Sequence, residues 1–173
     1  MIILIEPHRK EGVASGGYRY QSSVFDNFTA EQGRKVATTP KELRPLIDRL
    51  RREEPQAMIV VDGLFAELSR EPLPRDTIAL LHMVPTRADW CEQSMHVLAT
   101  SETTAAAVAG QSRSTAVVSP GLDACFDQDR IVRARDAVSQ IVCVGTISPA
   151  KGQARLVRLL QAMPQPWHLD LIG

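Results

Sequence analysis

A chain of 173 residues with 44% hydrophobic and 23% charged side chains can build an ordinary folded core. That excludes wholesale disorder and sets the expectation at one domain, or one domain plus part of another. Twenty Lys+Arg balance twenty Asp+Glu, so no basic field argues for nucleic-acid binding or electrostatic membrane docking. The apolar runs fall far short of the about 20 residues of a membrane span. Met1 leads into Ile2–Ile5 without a charged preceding region, so no signal peptide is expected. Cys91, Cys125 and Cys143 lack CxxC spacing, which predicts reduced thiols in a cytoplasmic setting, with neither a disulfide framework nor a metal site.

Short β-branched runs alternate with helical periodicities. Ile2–Ile5 reads as a buried strand, followed by a loop with Gly12, Gly16 and Gly17. Val24, Phe25 and Phe28 recur at helical spacing up to Gln32-Gly33, and Lys35–Thr38 reads as a strand. Thr39, Pro40 and Glu42 form a capping-box pattern for a helix whose stripe is Leu43, Leu46, Ile47 and Leu50. Met58–Val61, closed by Asp62-Gly63, is apolar on both faces, as a central parallel strand requires. Thr77–Leu81 is a strand ending at His82, Ala88–Met95 a helix, and Val97–Thr100 a strand. Ser101 caps a helix over Thr103–Val108, and Ala116–Val118 is the sixth strand.

This alternation predicts an α/β fold with a Rossmann-like, doubly wound parallel sheet over residues 1–124. Residues 125–138 read as a charged linker. Residues 139–173 then restart the pattern as one βαβ unit, too small to bury both its faces, and so an incomplete second Rossmann-like domain.

Ligands of such sheets bind beyond the carboxyl ends of the strands, where Gly16, Gly17, Asp62 and His82 all fall. Gly16-Gly17 reads either as a tight turn or as a loop letting backbone N–H groups approach an anion. Its spacing is not G-x-G-x-x-G, and no P-loop or nucleophile-elbow pattern occurs, which disfavours dinucleotide oxidoreductases, kinases and hydrolases. His82 is either a structural histidine or a neutral hydrogen-bond donor or base. Asp62 either binds a ligand hydroxyl or caps the following loop. Tyr18 and Tyr20 either line a pocket or pack. Gly145 ends a strand and Lys151 precedes a helix, so Lys151 is either a solvated surface lysine or the partner of a phosphate held there.

In order, the chain carries Ser15-Gly16-Gly17-Tyr18, Val60-Val61-Asp62-Gly63-Leu64, Leu81-His82-Met83, Ala99-Thr100-Ser101, Ser119-Pro120-Gly121-Leu122-Asp123, Val142-Cys143-Val144-Gly145-Thr146 and Lys151-Gly152, closing on Trp167–Gly173. This succession resembles the family 4 glycosyltransferases of the GT-B fold, whose two Rossmann-like domains face each other. The resemblance implies a retaining transfer from a nucleotide-diphosphate sugar to an acceptor (a glycan, a lipid or a small molecule), without metal or other cofactor. It implies that Gly16 and Gly17 approach the donor diphosphate and reacting sugar. It also implies that His82 lies near that sugar, and that Gly145 and Lys151 belong to the donor site. Two departures stand out: Thr146 replaces an arginine common in the family, and no glutamate pair spaced eight apart is present. The expected chain is therefore an acceptor-side domain plus the first βαβ of a truncated donor-side domain. It would self-associate or pair with the missing carboxyl-terminal half, and on its own show no transfer and weak donor binding at best. The competing readings are a non-catalytic remnant or split-enzyme partner, and a sugar-nucleotide epimerase of related fold.

Overall fold

The structure, a computed structural model, describes residues 1–8, 16–121, 138–164 and 166–173; the side chains of 16–19 and of 150 lie outside that description. The chain divides into two compact units, Met1–Leu122 and Asp123–Gly173. The linker expected at 125–138 falls outside the described residues except for Val138.

The first unit runs β1 (Ile2–Pro7), α1 (Gly16–Phe25), β2 (Gly33–Thr38), α2 (Leu43–Glu53), β3 (Met58–Asp62), α3 (Phe65–Leu68), β4 (Thr77–Leu81), a 3₁₀ turn (Ala88–Cys91), β5 (His96–Ala99), α4 (Glu102–Ala107) and β6 (Thr115–Val117). The six strands form one sheet in the order β2-β1-β3-β4-β5-β6, with every neighbouring pair parallel. This is α/β architecture of Rossmann-like kind, as the alternation predicts. The strand order reverses at β1, between β2 and β3, so the crevice for a ligand is expected above the carboxyl ends of β1 and β3.

Alternation along the strands divides the core in two. Ile3, Ile5, Ile59, Val61, Ala79, Leu81 and Val97 pack with the α2 stripe, Phe65, Trp90 and Val108. Leu4, Val60, Ile78 and Leu80 face the other way and pack with Ile2, Leu98 and Phe25 of α1. Both faces are apolar, which is why the parallel strands read as continuous runs.

Three local expectations are corrected. The α2 helix starts at Leu43 and not at Pro40. Thr39 and Glu42 instead close a turn, with the Glu42 N–H donating to the Thr39 carbonyl at 3.1 Å and the Thr39 hydroxyl to the Glu42 carboxylate at 2.7 Å. Pro45 explains the shift. A helix begun at Pro40 would need an N–H from Pro45 to the Lys41 carbonyl, whereas third in the helix Pro45 occupies a position whose N–H has no intrahelical partner. The helix expected over Ala88–Met95 shrinks to the 3₁₀ turn, because the Met95 N–H is taken by the Thr77 carbonyl at 2.8 Å as the chain enters the sheet. Finally, α1 ends at Phe25, so Phe28 lies in the following turn with its ring 5.1 Å from that of Phe25. Gly33 makes room for it: a Cβ there would lie 2.5 Å from the Phe28 ring.

The second unit pairs β7 (Ser139–Val144) with β8 (Trp167–Ile172) in parallel, joined through a 3₁₀ turn (Pro149–Lys151) and α5 (Gln153–Gln161). Leu160 is buried, while Leu159 is 60% exposed and Val142, Val144 and Ile172 also stand in solvent. Among the described residues, no helix is long and apolar enough to cross a membrane.

Candidate functional site

The carboxyl ends of β1, β3 and β4 carry the polar residues Glu6, Asp62 and His82, each two positions beyond an apolar residue on the α1 side of the sheet. Glu6 and Asp62 are buried. The turn after β3 is held against β4 by the Gly63 N–H, which donates to the Leu80 carbonyl at 2.8 Å. The end of β4 is held by Thr100, whose N–H donates to the Leu81 carbonyl at 3.0 Å. His82, the next residue, is thereby fixed beside Asp62.

Helix α1 completes the site. The Gln21 side-chain amide nitrogen lies 2.5 Å from Asp62 Oδ2 and 3.2 Å from His82 Nε2. The other Asp62 oxygen accepts the Leu64 N–H at 2.8 Å, so this carboxylate caps its turn and is only 1% exposed. Tyr20 packs edge-on against the imidazole, with ring centres 5.5 Å apart and planes at 74°. Burial holds the His82 pKa below its ordinary value, and the Asp62 charge opposes that shift without cancelling it. The imidazole is therefore neutral near pH 7. A cavity of about 130 Å³, apolar except for Tyr20 and Gln21, extends from this cluster under Val24, Leu80 and Leu98.

Gly16 and Gly17 are the first two residues of α1 and not part of a loop, which corrects the expectation. Their N–H groups belong to the first turn, where no intrahelical carbonyl can take them, so the anion-binding chemistry assigned to them is that of a helix start. The side chain of Tyr18 lies outside the description, and it is Tyr20 that touches His82. Gly145 and Lys151 lie in the second unit. Gly145 has φ +147° and donates its N–H to the Ile172 carbonyl at 2.7 Å. Lys151 is exposed at the end of the 3₁₀ turn before α5. Gln153 organises the segment between them: its amide nitrogen donates to the carbonyls of Gly145 and Thr146 at 3.3 and 3.1 Å.

Sequence reasoning missed Gln21 and Glu6. For Glu6 a signal existed, a lone acid closing an apolar strand. For Gln21 none did, since its partners are 41 and 61 residues away. A larger groove, of about 580 Å³, lies between α2 and the 68–74 segment and includes Lys41, Arg44 and Glu71. It holds no histidine, cysteine or buried acid, so the chemistry concentrates at the His82 cluster. No group of three or more His, Cys, Asp or Glu side chains among the described residues could hold a metal ion. No family model matches this chain, and neither a curated protein nor a solved structure is significantly similar to it.

Proposed function

We propose that this chain is the acceptor-side part, with the start of the donor-side part, of a GT-B type retaining glycosyltransferase that uses a nucleotide-diphosphate sugar. The observation supporting this reading most is the fixing of a neutral His82 beside α1, two strands from the point where the strand order reverses. There a substrate meets both an imidazole and the N–H groups of a helix start, which have no intrahelical carbonyl to take them. A departing nucleoside diphosphate gains charge as the glycosidic bond breaks, and N–H donors and cations aimed at it stabilise that change. In this reading Gly16 and Gly17 supply such donors, Gly145 and Lys151 the diphosphate contacts of the second unit, and His82 a contact to the reacting sugar. The free thiols Cys91 and Cys143 suit a reducing, cytoplasmic setting.

Titrating the labelled chain with UDP, GDP and ADP at millimolar concentration tests the reading by amide chemical shifts. At least one is expected to move both Gly16–Gly17 and Gly145–Lys151. If none moves either pair, the reading fails.

A partner module without activity of its own is the second reading, favoured by the exposed apolar side chains Val142, Val144 and Ile172 on one face of the β7–β8 sheet. It expects a concentration-dependent dimer on sizing and no response to nucleotides.

A further inference from the structure

The Gln21 amide has two ends, and only one arrangement of them suits its neighbours. An ionised carboxylate accepts hydrogen bonds and donates none. Turning the amide over would set Gln21 Oε1 against Asp62 Oδ2 at the 2.5 Å now occupied by the nitrogen, acceptor against acceptor. The carboxylate thus dictates which end faces it, and it is itself held by the Leu64 N–H. The buried Gln21 Oε1 has no hydrogen-bond partner among the described residues. An orphaned carbonyl inside a packed region calls for a reason, and the two bonds made by the nitrogen provide it.

One hydrogen of that nitrogen goes to Asp62, leaving the other for His82 Nε2 at 3.2 Å. A ring nitrogen that accepts carries no hydrogen. We infer that Gln21 is a positioning residue that relays the fixed carboxylate of Asp62 to His82 and holds the imidazole in the neutral tautomer with its proton on Nδ1. A histidine side chain free in water favours the opposite tautomer, so the site inverts an intrinsic preference. Nε2 is then occupied as an acceptor, and the ring's remaining capacity is that of a donor through Nδ1–H. Resting on the glycosyl-transfer reading, this makes His82 a hydrogen-bond donor to a sugar or leaving-group oxygen, and excludes Nε2 as a general base.

Long-range ¹H–¹⁵N correlation of the imidazole rings in the intact chain, without nucleotide, tests the relay whether or not sugar transfer is ever found. The His82 signals are assigned by their loss in His82→Asn. A protonated Nδ1 and an unprotonated Nε2 are expected at pH 7.5. In Gln21→Leu the proton is expected to move predominantly to Nε2, and so too in Asp62→Asn, where the Leu64 N–H keeps the new amide's oxygen and the amide nitrogen left facing Gln21 draws the Gln21 oxygen round in place of its nitrogen. A proton on Nε2 in the unaltered chain overturns the inference even if the variants fail to fold. So does a folded Gln21→Leu that keeps its proton on Nδ1.

Discussion

Gly63 offers a sharp test of how the site is assembled, because its side is already occupied by backbone. A Cβ at this position would lie 2.9 Å from the Leu80 carbonyl oxygen, 2.8 Å from Leu81 Cδ2 and 3.3 Å from Leu81 Cα. The leucine methyl can rotate aside, but the carbonyl and Cα belong to β4 and are pinned by the Gly63 N–H and by Thr100. Overpacking costs about 1–3 kcal/mol, and an obstacle made of backbone puts Gly63→Ala in the upper half of that range. Against it stands about 0.4–1 kcal/mol from the reduced freedom of the unfolded chain. The net loss is about 1–2.5 kcal/mol, or a fall in melting temperature of roughly 3–10 °C for a unit of this size. Urea denaturation followed by tryptophan fluorescence reads it, since Trp90 is fully buried in the first unit. Because β4 must shift at the residues that precede His82, the His82 ring signals should move as well. A variant as stable as the parent would show that the β3 turn and β4 are not in close contact, and the account of how Asp62 reaches His82 would fall with it.

Three further outcomes follow from the same geometry. His82 has a native pKa below its ordinary 6.5, with burial as the main cause and the Asp62 charge opposing it, so the unfolded chain binds this proton more readily. The stability it contributes is full above pH 6.5 and is lost as pH falls toward the native pKa; urea midpoints from pH 7.5 downward should show this slope, and it should vanish in His82→Asn. Ser101→Ala removes the cap of α4, where Ser101 Oγ accepts the Thr104 N–H at 3.2 Å, and should cost about 1 kcal/mol by urea denaturation; no loss would mean that the cap is idle. Lys151→Ala changes an exposed side chain, so stability should stay within about 0.5 kcal/mol while nucleotide-induced shifts at Gly145 disappear; shifts that persist would remove Lys151 from the donor site.

The middle of the sheet was legible because β1, β3 and β4 are buried on both faces and so read as short apolar runs bounded by turn residues. Boundaries failed where a backbone group had a stronger claimant elsewhere. Met95 belongs to β4 by its N–H although its neighbours look helical, and Pro45 sets the start of α2 although Thr39 and Glu42 carry the letters of a cap. Neither competition can be weighed from residue types alone, because the rival partner lies in another element or in a bond that proline cannot make.

The site divides along the same line. Glu6, Asp62 and His82 share a face because parallel strands in register put residues two past Leu4, Val60 and Leu80 on one side of one sheet end. Parity and the apolar runs contain that result, so half of the cluster is legible in the order of residues. Its other half is not. Whether Gln21 or a neighbour in α1 meets Asp62 depends on the rotation of the helix over the sheet, and that is set by where Phe25 finds its place beside Leu4, Val60 and Leu80. The hydrophobic contact fixes the phase; four residues earlier, one helical turn away, the same phase delivers an amide to a buried carboxylate. A polar relay at the strand ends is thus positioned by an apolar contact nearer the middle of the sheet. On that argument Phe25→Ala, which touches neither Asp62 nor His82, should loosen the His82 tautomer as well as the core, whereas Phe28→Ala, in the turn beyond the helix, should cost stability and leave the tautomer alone.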